Sequence, residues 1–374
     1  MWPKIAWRNL THDRRRFAVT VCGTAFAVFI MLFQSGLFVG FAQAASHIID
    51  AMDADLIIMG RGASALEYGF AIEERYRDIV RGVDDVQATT RVIIGTGFFK
   101  KPSGSELIAF LVGTEPSATD ALPRPALISD RTAMLPESVI VDQSNVEVLG
   151  LTTLPTEVEI NDRRTSVVRA IQGFGSFLGS PFIFMDDKEA RRLLDYPAGH
   201  VTFINVRLQP GADVERVRAQ LQSRLPNVEV RTKATFARDA RTYWIAQTGA
   251  GGALLTSAFL GFLLGVVFVS QTMYASTMEK IEEYAAMRAM GASKRYVLAI
   301  VVTQAITGGA FGTAGGLVAA SAMIAQARRA IPWIATAPWL YATIVGAALC
   351  MSALASIASA RAVNRVEPAR VFRG

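Results

Sequence analysis

The sequence contains few cysteines and few charged residues for its length, and both shortages narrow the class of protein. Of 374 residues, only 2 are cysteine and 19% are charged, whereas 51% are hydrophobic. Cys22 and Cys350 both lie inside apolar runs, so they offer neither a disulfide framework nor a CxxC metal site. A chain this apolar is too hydrophobic for an ordinary soluble enzyme of its size. We therefore expect membrane spans.

Motifs for catalysis and metal binding are also missing from the sequence. The three histidines lie far apart, without HExxH or other metal-ligand spacing: His12, His47 and His200. The sequence has no G-x-x-x-x-G-K-[ST] loop for a nucleotide and no GxSxG serine elbow. We expect no catalytic residue, no metal site and no cofactor bound by this chain, which makes a membrane enzyme the weakest hypothesis.

Basic residues outnumber acidic ones, and the formal net charge is +6. The lysines and arginines cluster beside apolar runs instead of alternating with aromatic residues on one face. This arrangement favours membrane topology over nucleic-acid binding.

Four apolar runs are long enough to span a membrane as helices, because about 20 residues cross the hydrocarbon core. They cover residues 17–45, 247–275, 296–325 and 339–360. The first run is too long for a cleaved signal peptide, and no A-x-A-like site follows it. No run has a central charged residue, so an ion or proton relay is not expected.

Clusters of arginine and lysine precede the first run, separate the second and third, and follow the fourth. By the positive-inside rule, these three regions are cytoplasmic, and the location that we expect is a bacterial inner membrane. Arg328 and Arg329 are a minor exception in the short outer loop. The predicted segments are a cytoplasmic interfacial helix (1–16), a cytoplasmic loop (276–295), a short periplasmic loop (326–338) and a cytoplasmic tail (361–374).

The long segment 46–246 is predicted to be a periplasmic α/β domain inserted between the first two transmembrane helices. Short β-rich runs such as "DLIIM", "LIAFLVG", "SVIV" and "FIFM" alternate in it with helical patterns. One amphipathic helix carries its apolar residues at helical spacing: Val214, Val217, Leu221 and Leu225. The run "KATFARDARTYWIAQ" predicts a helix entering the second span, with Tyr243 and Trp244 in the interfacial belt.

Small residues recur at four-residue spacing in the predicted spans, which lets helix backbones approach closely. The helix-packing candidates are Gly36, Gly40, Gly261, Gly265, Gly308, Gly312 and Gly316. Two interpretations stay open: these glycines pack the helices of one chain together, or they form a seam that slides or dimerises.

The stretch "EKIEEYAAMRAMGASKRYV" between the second and third spans predicts a short charged helix that stops at Gly291 and restarts after Ser293. A solvated loop with a basic anchor is the plainer interpretation. However, the apolar side chains of Tyr284, Met287 and Met290 need burial, and we expect a cytoplasmic partner with a groove to supply it.

This loop, with its "EYAAMRAMGAS" sequence, and the order of elements resemble the FtsX/MacB-type (type VII) permeases of ABC transporters. The C-terminal "RAVNRVEPARVFR" is similar to the tail of that family. Stretches such as "MLFQSGLFVGFAQAA" and "YWIAQTGAGG" look most like the DevC group. The resemblance covers nearly the whole chain.

The resemblance implies that two permease copies assemble with a dimer of a separate ABC ATPase, which binds the ATP and Mg. The loop would be the coupling helix seated in the ATPase, although the family often has "REIG" where this chain has "EEYA". The coupling residues implied are Glu279, Lys280, Glu282, Glu283, Tyr284, Met287, Arg288, Ala289, Met290, Gly291 and Ala292.

Three functions are compatible with this resemblance. The first is export of a lipid, glycolipid or other amphiphile by mechanotransmission, with a periplasmic membrane-fusion adaptor as partner and an outer-membrane channel left open. The second is a signalling permease that activates a cell-wall hydrolase, and the third is a permease that extracts lipoproteins. The size of segment 46–246 and the DevC-like stretches favour the first.

Overall fold

The computed structural model describes residues 14–115, 136–175 and 179–364. Most of the predicted interfacial helix 1–16 and of the tail 361–374 lies outside these residues. The chain divides into two compact units, one comprising residues 1–40, 252–328 and 334–374, the other residues 41–251 and 329–333. We call them the helical unit and the α/β unit.

The described residues contain four helices long and apolar enough to cross a membrane. They are α1 (Arg14–Ala44), α7 (Ala250–Glu279), α9 (Lys294–Ala327) and α10 (Pro338–Asn364). A shorter helix, α8 (Ile281–Ala289), lies between α7 and α9. The intervening helices α2 to α6 belong to the α/β unit. This arrangement confirms the expected four-helix membrane protein.

Several of the predicted packing glycines lie where two of these helices touch. A Cβ on Gly261 would lie 2.8 Å from Cγ2 of Ile30 on α1, closer than real Cβ atoms approach a neighbour. The same crowding occurs at Gly265, where a Cβ would lie 2.7 Å from that of Ala27, and at Gly316, where it would lie 2.5 Å from the Ala25 carbonyl. These contacts are made within one chain, as the first interpretation of the spacing expects.

The remaining predicted packing glycines differ in how closely a neighbour approaches them. Gly312 is crowded by Thr24, and a Cβ on Gly36 would lie 3.0 Å from the carbonyl oxygen of Ala335. Gly40 and Gly308 are buried. On α9, Gly309 faces Ser352 of α10, a contact that the four-residue spacing did not identify.

The α/β unit is built on a nine-stranded sheet with strand order β11-β1-β10-β3-β4-β8-β5-β7-β6. The strands of this sheet are β1 (Leu56–Gly60), β3 (Val86–Lys100), β4 (Glu106–Thr114), β5 (Ser138–Asp142), β6 (Thr156–Ile160), β7 (Arg163–Ile171), β8 (Phe182–Asp186), β10 (Phe203–Leu208) and β11 (Val228–Thr232). Since β6 also pairs with the end of β3, through Phe99 and Ile160, six of the strands close into a ring. A separate two-stranded sheet joins β2 (Ile72–Glu73) to β9 (His200–Val201).

Five α-helices among the described residues accompany this sheet: α2 (His47–Ala51), α3 (Tyr76–Arg81), α4 (Asp187–Leu194), α5 (Val214–Arg224) and α6 (Lys233–Thr242). The predicted amphipathic helix is α5, and Val217 and Leu221 on it are fully buried in the core of the unit. Asp213 begins α5 by accepting hydrogen bonds from the backbone amides of Glu215 and Arg216. The mixed α/β domain is therefore confirmed.

A network of ion pairs holds α3, β3, β4 and α4 together. Arg91 on β3 lies 2.6 Å from a carboxylate oxygen of Glu115 and 3.1 Å from one of Asp187, and it also pairs with Glu74. Arg77 joins Glu115 at 2.8 Å. Because these side chains are largely withdrawn from solvent, their charges are compensated mainly by each other.

The predicted helix from Lys233 is present as α6 (Lys233–Thr242), but it does not continue into the second span as one α-helix. After α6, residues Tyr243–Gln247 form a π-helical turn, and Gly249 takes a left-handed φ of +76° before α7 begins. The helix is therefore interrupted. Trp244 is only 6% exposed, packed inside the α/β unit, so it is unavailable to an interfacial belt.

Candidate functional site

The loop between α7 and α9 is a folded element with defined ends. Helix α7 runs to Glu279, a single residue separates it from α8, and Tyr284 donates its backbone amide to the carbonyl of Lys280 at 3.0 Å. Glu282 and Glu283 lie in the first turn of α8 and Arg288 in the last, an order that suits the helix dipole.

The far end of α8 has the predicted glycine stop. Gly291 adopts a φ of +98°, which is readily accessible to glycine and costly for other residues. The amide of Ala292 donates to the carbonyl of Met287 at 3.0 Å, which closes the last turn. Ser293 then accepts a hydrogen bond from the Tyr296 amide at 3.2 Å and so starts α9.

Tyr284 faces inward, and this corrects the prediction that it awaits a partner. Its side chain is 1% exposed, Ala285 beside it is 3% exposed, and α8 packs against α9. The expectation failed because it assumed that a loop this short could find no burial within its own chain. The helical unit provides that burial, so Tyr284 anchors α8.

The anchoring tyrosine is held in an apolar setting. Burial raises the pKa of Tyr284 to about 12, and the nearby amide of Gln304 on α9 offsets this only in part. The hydroxyl approaches Gln304 without completing a hydrogen bond. It is therefore the aromatic ring, more than the hydroxyl, that fixes the helix.

Met290, by contrast, is the most exposed large apolar side chain of the described residues, at 81%. Glu282, Glu283 and Ala289 are exposed as well, whereas Met287 is partly buried. The other predicted coupling residues divide between exposed and partly buried positions: Glu279 and Gly291 are exposed, and Lys280, Arg288 and Ala292 are partly buried. The outward surface is thus acidic at one end and apolar at Met290.

Among the described residues, no group of three or more His, Cys, Asp or Glu side chains is arranged to hold a metal ion. The loop itself offers no nucleophile paired with a base, and its one glycine, Gly291, ends a helix. It is a short helix with Tyr284 buried and Met290 exposed.

Two protein-family models match this chain. The model of the MacB-like periplasmic core domain matches residues 17–224, more than half of the chain. That of the FtsX-like permease C-terminal region matches residues 255–368, which include the whole loop. The chain is a permease of the FtsX/MacB family of ABC transporters. The family resemblance of the sequence is confirmed.

Relatives of this FtsX/MacB permease are also named ABC transporter permeases. An uncharacterized ABC transporter permease of Mycobacterium tuberculosis, found in two strains, is 22% identical over 370 residues and covers 99% of both chains. Another, from Methanocaldococcus jannaschii, is 23% identical over 228 residues, covering 58% of this chain and 57% of its own. These names do not distinguish the DevC group, which stays a prediction.

Solved structures give a weaker similarity. The periplasmic region of MacB from Actinobacillus actinomycetemcomitans aligns with 12% identity and a TM-score of 0.37, over 51% of this permease and 94% of that chain. The extracellular domain of the transporter YknZ from Gram-positive bacteria aligns with 11% identity and a TM-score of 0.34, over 48% and 98%.

Proposed function

We propose that this permease couples ATP hydrolysis by a separate ATPase to motion of its periplasmic domain, and that this mechanotransmission drives export of a lipid, glycolipid or other amphiphile. The observation that carries the proposal is the two-sided helix α8, anchored by Tyr284 and exposing Met290. A permease of an ABC transporter requires an ATPase partner, and α8 has the form of the element that meets it.

The connections of α8 support transmission of force. One residue, Lys280, separates it from α7, and the turn from Met290 to Ser293 joins it to α9 through defined hydrogen bonds. A load applied to the exposed face therefore reaches two membrane helices without an intervening flexible linker. Short, hydrogen-bonded connections of this kind move with the helices they join.

The construction of the helical unit supports a mechanism in which the substrate does not pass between the helices. Gly265 and Gly316 bring α7 and α9 against α1 so closely that no Cβ fits. The spans also lack the central charged residues that mark ion pathways. Energy supplied by the ATPase would thus move the membrane helices and the periplasmic domain.

Assembly beyond this chain follows from the same proposal. A second permease copy and an ATPase dimer complete the transporter, with a periplasmic adaptor of the membrane-fusion type passing substrate outward and an outer-membrane channel as a further component. Both termini and α8 are cytoplasmic, in keeping with the basic clusters that flank the spans. Activation of a cell-wall hydrolase and extraction of lipoproteins are the competing outcomes.

Site-specific photo-crosslinking in native membranes tests the proposal. A photoreactive phenylalanine analogue replaces Met290 in one variant and Val318, 70% exposed on the membrane helix α9, in the matched control. We expect an adduct with a P-loop ATPase at position 290 and none at 318. Absence of an ATPase adduct at 290, or equal adducts at both positions, would contradict the coupling role.

The proteins that copurify with the crosslinked permease distinguish the three candidate functions. An adaptor recovered with the ATPase supports export, whereas a cell-wall hydrolase in its place supports signalling. Recovery of lipoproteins without either supports extraction.

A further inference from the structure

One partly buried carboxyl group of the α/β unit has an unusual setting. Glu67 lies on the 3-10 turn Leu66–Tyr68, and its Oε2 atom is buried with no hydrogen-bond partner among the described residues. An ionised carboxylate oxygen in that position has lost its hydration without full compensation, which is costly. The family role of the chain does not account for it.

The neighbours of Glu67 form an aromatic cluster on the turn after α6. The ring of Tyr68 lies 5.5 Å from that of Tyr243 and 5.9 Å from that of Trp244, measured between centroids. Tyr243 and Trp244 are themselves 5.4 Å apart in an edge-on arrangement. The 3-10 turn therefore packs against this cluster through Tyr68, and Trp244 lies beside the carboxyl of Glu67.

The segment that carries Tyr243 and Trp244 is a π-helical turn, Tyr243–Gln247. It is closed by a hydrogen bond of 3.3 Å from the amide of Thr248 to the carbonyl of Tyr243. Turns of this kind are rare and occur often at functional sites. Gly249, with its left-handed φ, ends the segment just before α7. The turn thus sits at the exit of the α/β unit.

Titratable groups near the 3-10 turn belong to the aromatic cluster and to an adjoining set of ion pairs. Tyr68 and Tyr243 are those within the cluster. Arg231, which donates to the carbonyl of Ala63 just before the turn, pairs with Asp239 at 3.1 Å and with Glu229 at 2.8 Å. The residues that adjoin Gly69 on the other side are uncharged, Thr202 and Phe203.

The protonation equilibrium of Glu67 agrees with this setting. Burial raises its pKa from 4.5 to about 7, although its own backbone amide and the indole of Trp244 offset part of the rise. The packed turn therefore holds a proton that the open turn, with a hydrated carboxylate, releases.

We propose that Glu67 is a proton-controlled latch on the turn Tyr243–Gln247, which stays packed while the carboxyl is neutral and is released when the carboxyl is ionised. The open state loses its proton at lower pH than the packed state, so packing weakens as the pH rises from about 4.5 to about 7 and changes little above that range. The periplasmic core domain would so respond to external acidity. This inference does not depend on what the transporter exports.

Hydrogen exchange of the turn tests the latch in the full chain, reconstituted in nanodiscs. The amides of residues 244–248 are followed in the wild type and in Glu67→Gln, which mimics the neutral acid, at the same pH so that intrinsic exchange rates cancel. At pH 5 the two exchange at rates within about fivefold; at pH 8 the wild type exchanges roughly 10- to 100-fold faster. A ratio that is constant between these pH values, or a slower wild type at pH 8, overturns the proposal.

Two further variants serve as a control and as an additional test. Glu157→Gln removes an exposed carboxyl of the same unit and should follow the wild type at every pH. Trp244→Phe keeps an aromatic ring but removes the indole N–H, so the midpoint of the wild-type pH profile should move upward. If Glu67→Gln fails to fold, the wild type alone tests the latch: exchange of the turn, corrected for intrinsic rates, that does not accelerate between pH 5 and pH 8 contradicts it.

Discussion

Tyr284 and Met290 lie six positions apart on one short helix and its C-terminal cap, yet the first is 1% exposed and the second 81%. Six positions along an α-helix amount to about 600°, which places the two side chains about 120° apart and on different faces. One residue therefore fixes α8 to the membrane helices, and the other is exposed. Substitutions at the two positions should have separable effects.

Tyr284→Ala should destabilise the helical unit by about 3–5 kcal/mol, because it removes a large buried ring and leaves a cavity. Tyr284→Phe should cost less than about 1 kcal/mol, since the hydroxyl completes no hydrogen bond. Thermal unfolding in detergent measures both. Similar losses for the two variants would show that the hydroxyl, not the ring, holds α8.

The glycine contacts predict a second difference in stability. Gly316→Val would force a side chain into the backbone of Ala25 on α1 and should prevent normal packing of the helical unit. Gly346→Val on α10 is the matched control, because nothing lies within 4 Å of its Cβ position. Yield of monodisperse protein after extraction and its unfolding temperature should fall for the first variant and stay near wild type for the second.

The ion-pair network of the α/β unit gives a third prediction. Arg91→Met should destabilise this unit by about 3–5 kcal/mol, because Glu115 and Asp187 lose a partner within a partly buried cluster. The exposed pair of Lys100 and Glu159, 2.7 Å apart, should matter far less, and Lys100→Met should leave the unfolding midpoint near that of the wild type. Chemical denaturation of the two variants checks this, and equal losses would mean that the network contributes little.

Membrane orientation can be measured by thiol labelling. In a background with Cys22→Ala and Cys350→Ala, a cysteine is placed at Ser103 or at Ser293, both of which are exposed. An impermeant reagent added to intact spheroplasts should label the Ser103→Cys variant and spare the Ser293→Cys variant until the membrane is opened. The reverse pattern would overturn the assignment of α8 to the cytoplasm.

Much of this architecture follows from local sequence patterns. Uncharged runs predict the membrane helices because the bilayer core demands them, and Gly291 and Ser293 predict the boundary between α8 and α9 through backbone conformation and capping. β6, Thr156–Ile160, was not among the predicted strands: acidic residues alternate with its apolar ones, and it is stabilised by pairing with β7 and with the end of β3.

The inward face of α8 could not be predicted from the loop alone. Whether Tyr284 or Met290 points toward the membrane helices depends on how α8 packs against α9, a tertiary contact that helical periodicity does not specify. The π-helical turn at Tyr243 could not be predicted either, because it also depends on tertiary packing, which the amino-acid composition does not reveal.

The central claim is that Met290 meets the ATPase, and the most direct measurement is ATP hydrolysis by the reconstituted transporter. Met290→Glu should lower permease-stimulated hydrolysis by about 10-fold or more, as expected for an apolar anchor at an interface, whereas Met290→Leu should retain most of it. Both variants should purify and unfold like the wild type. Full stimulation with Met290→Glu in a folded permease would contradict the account.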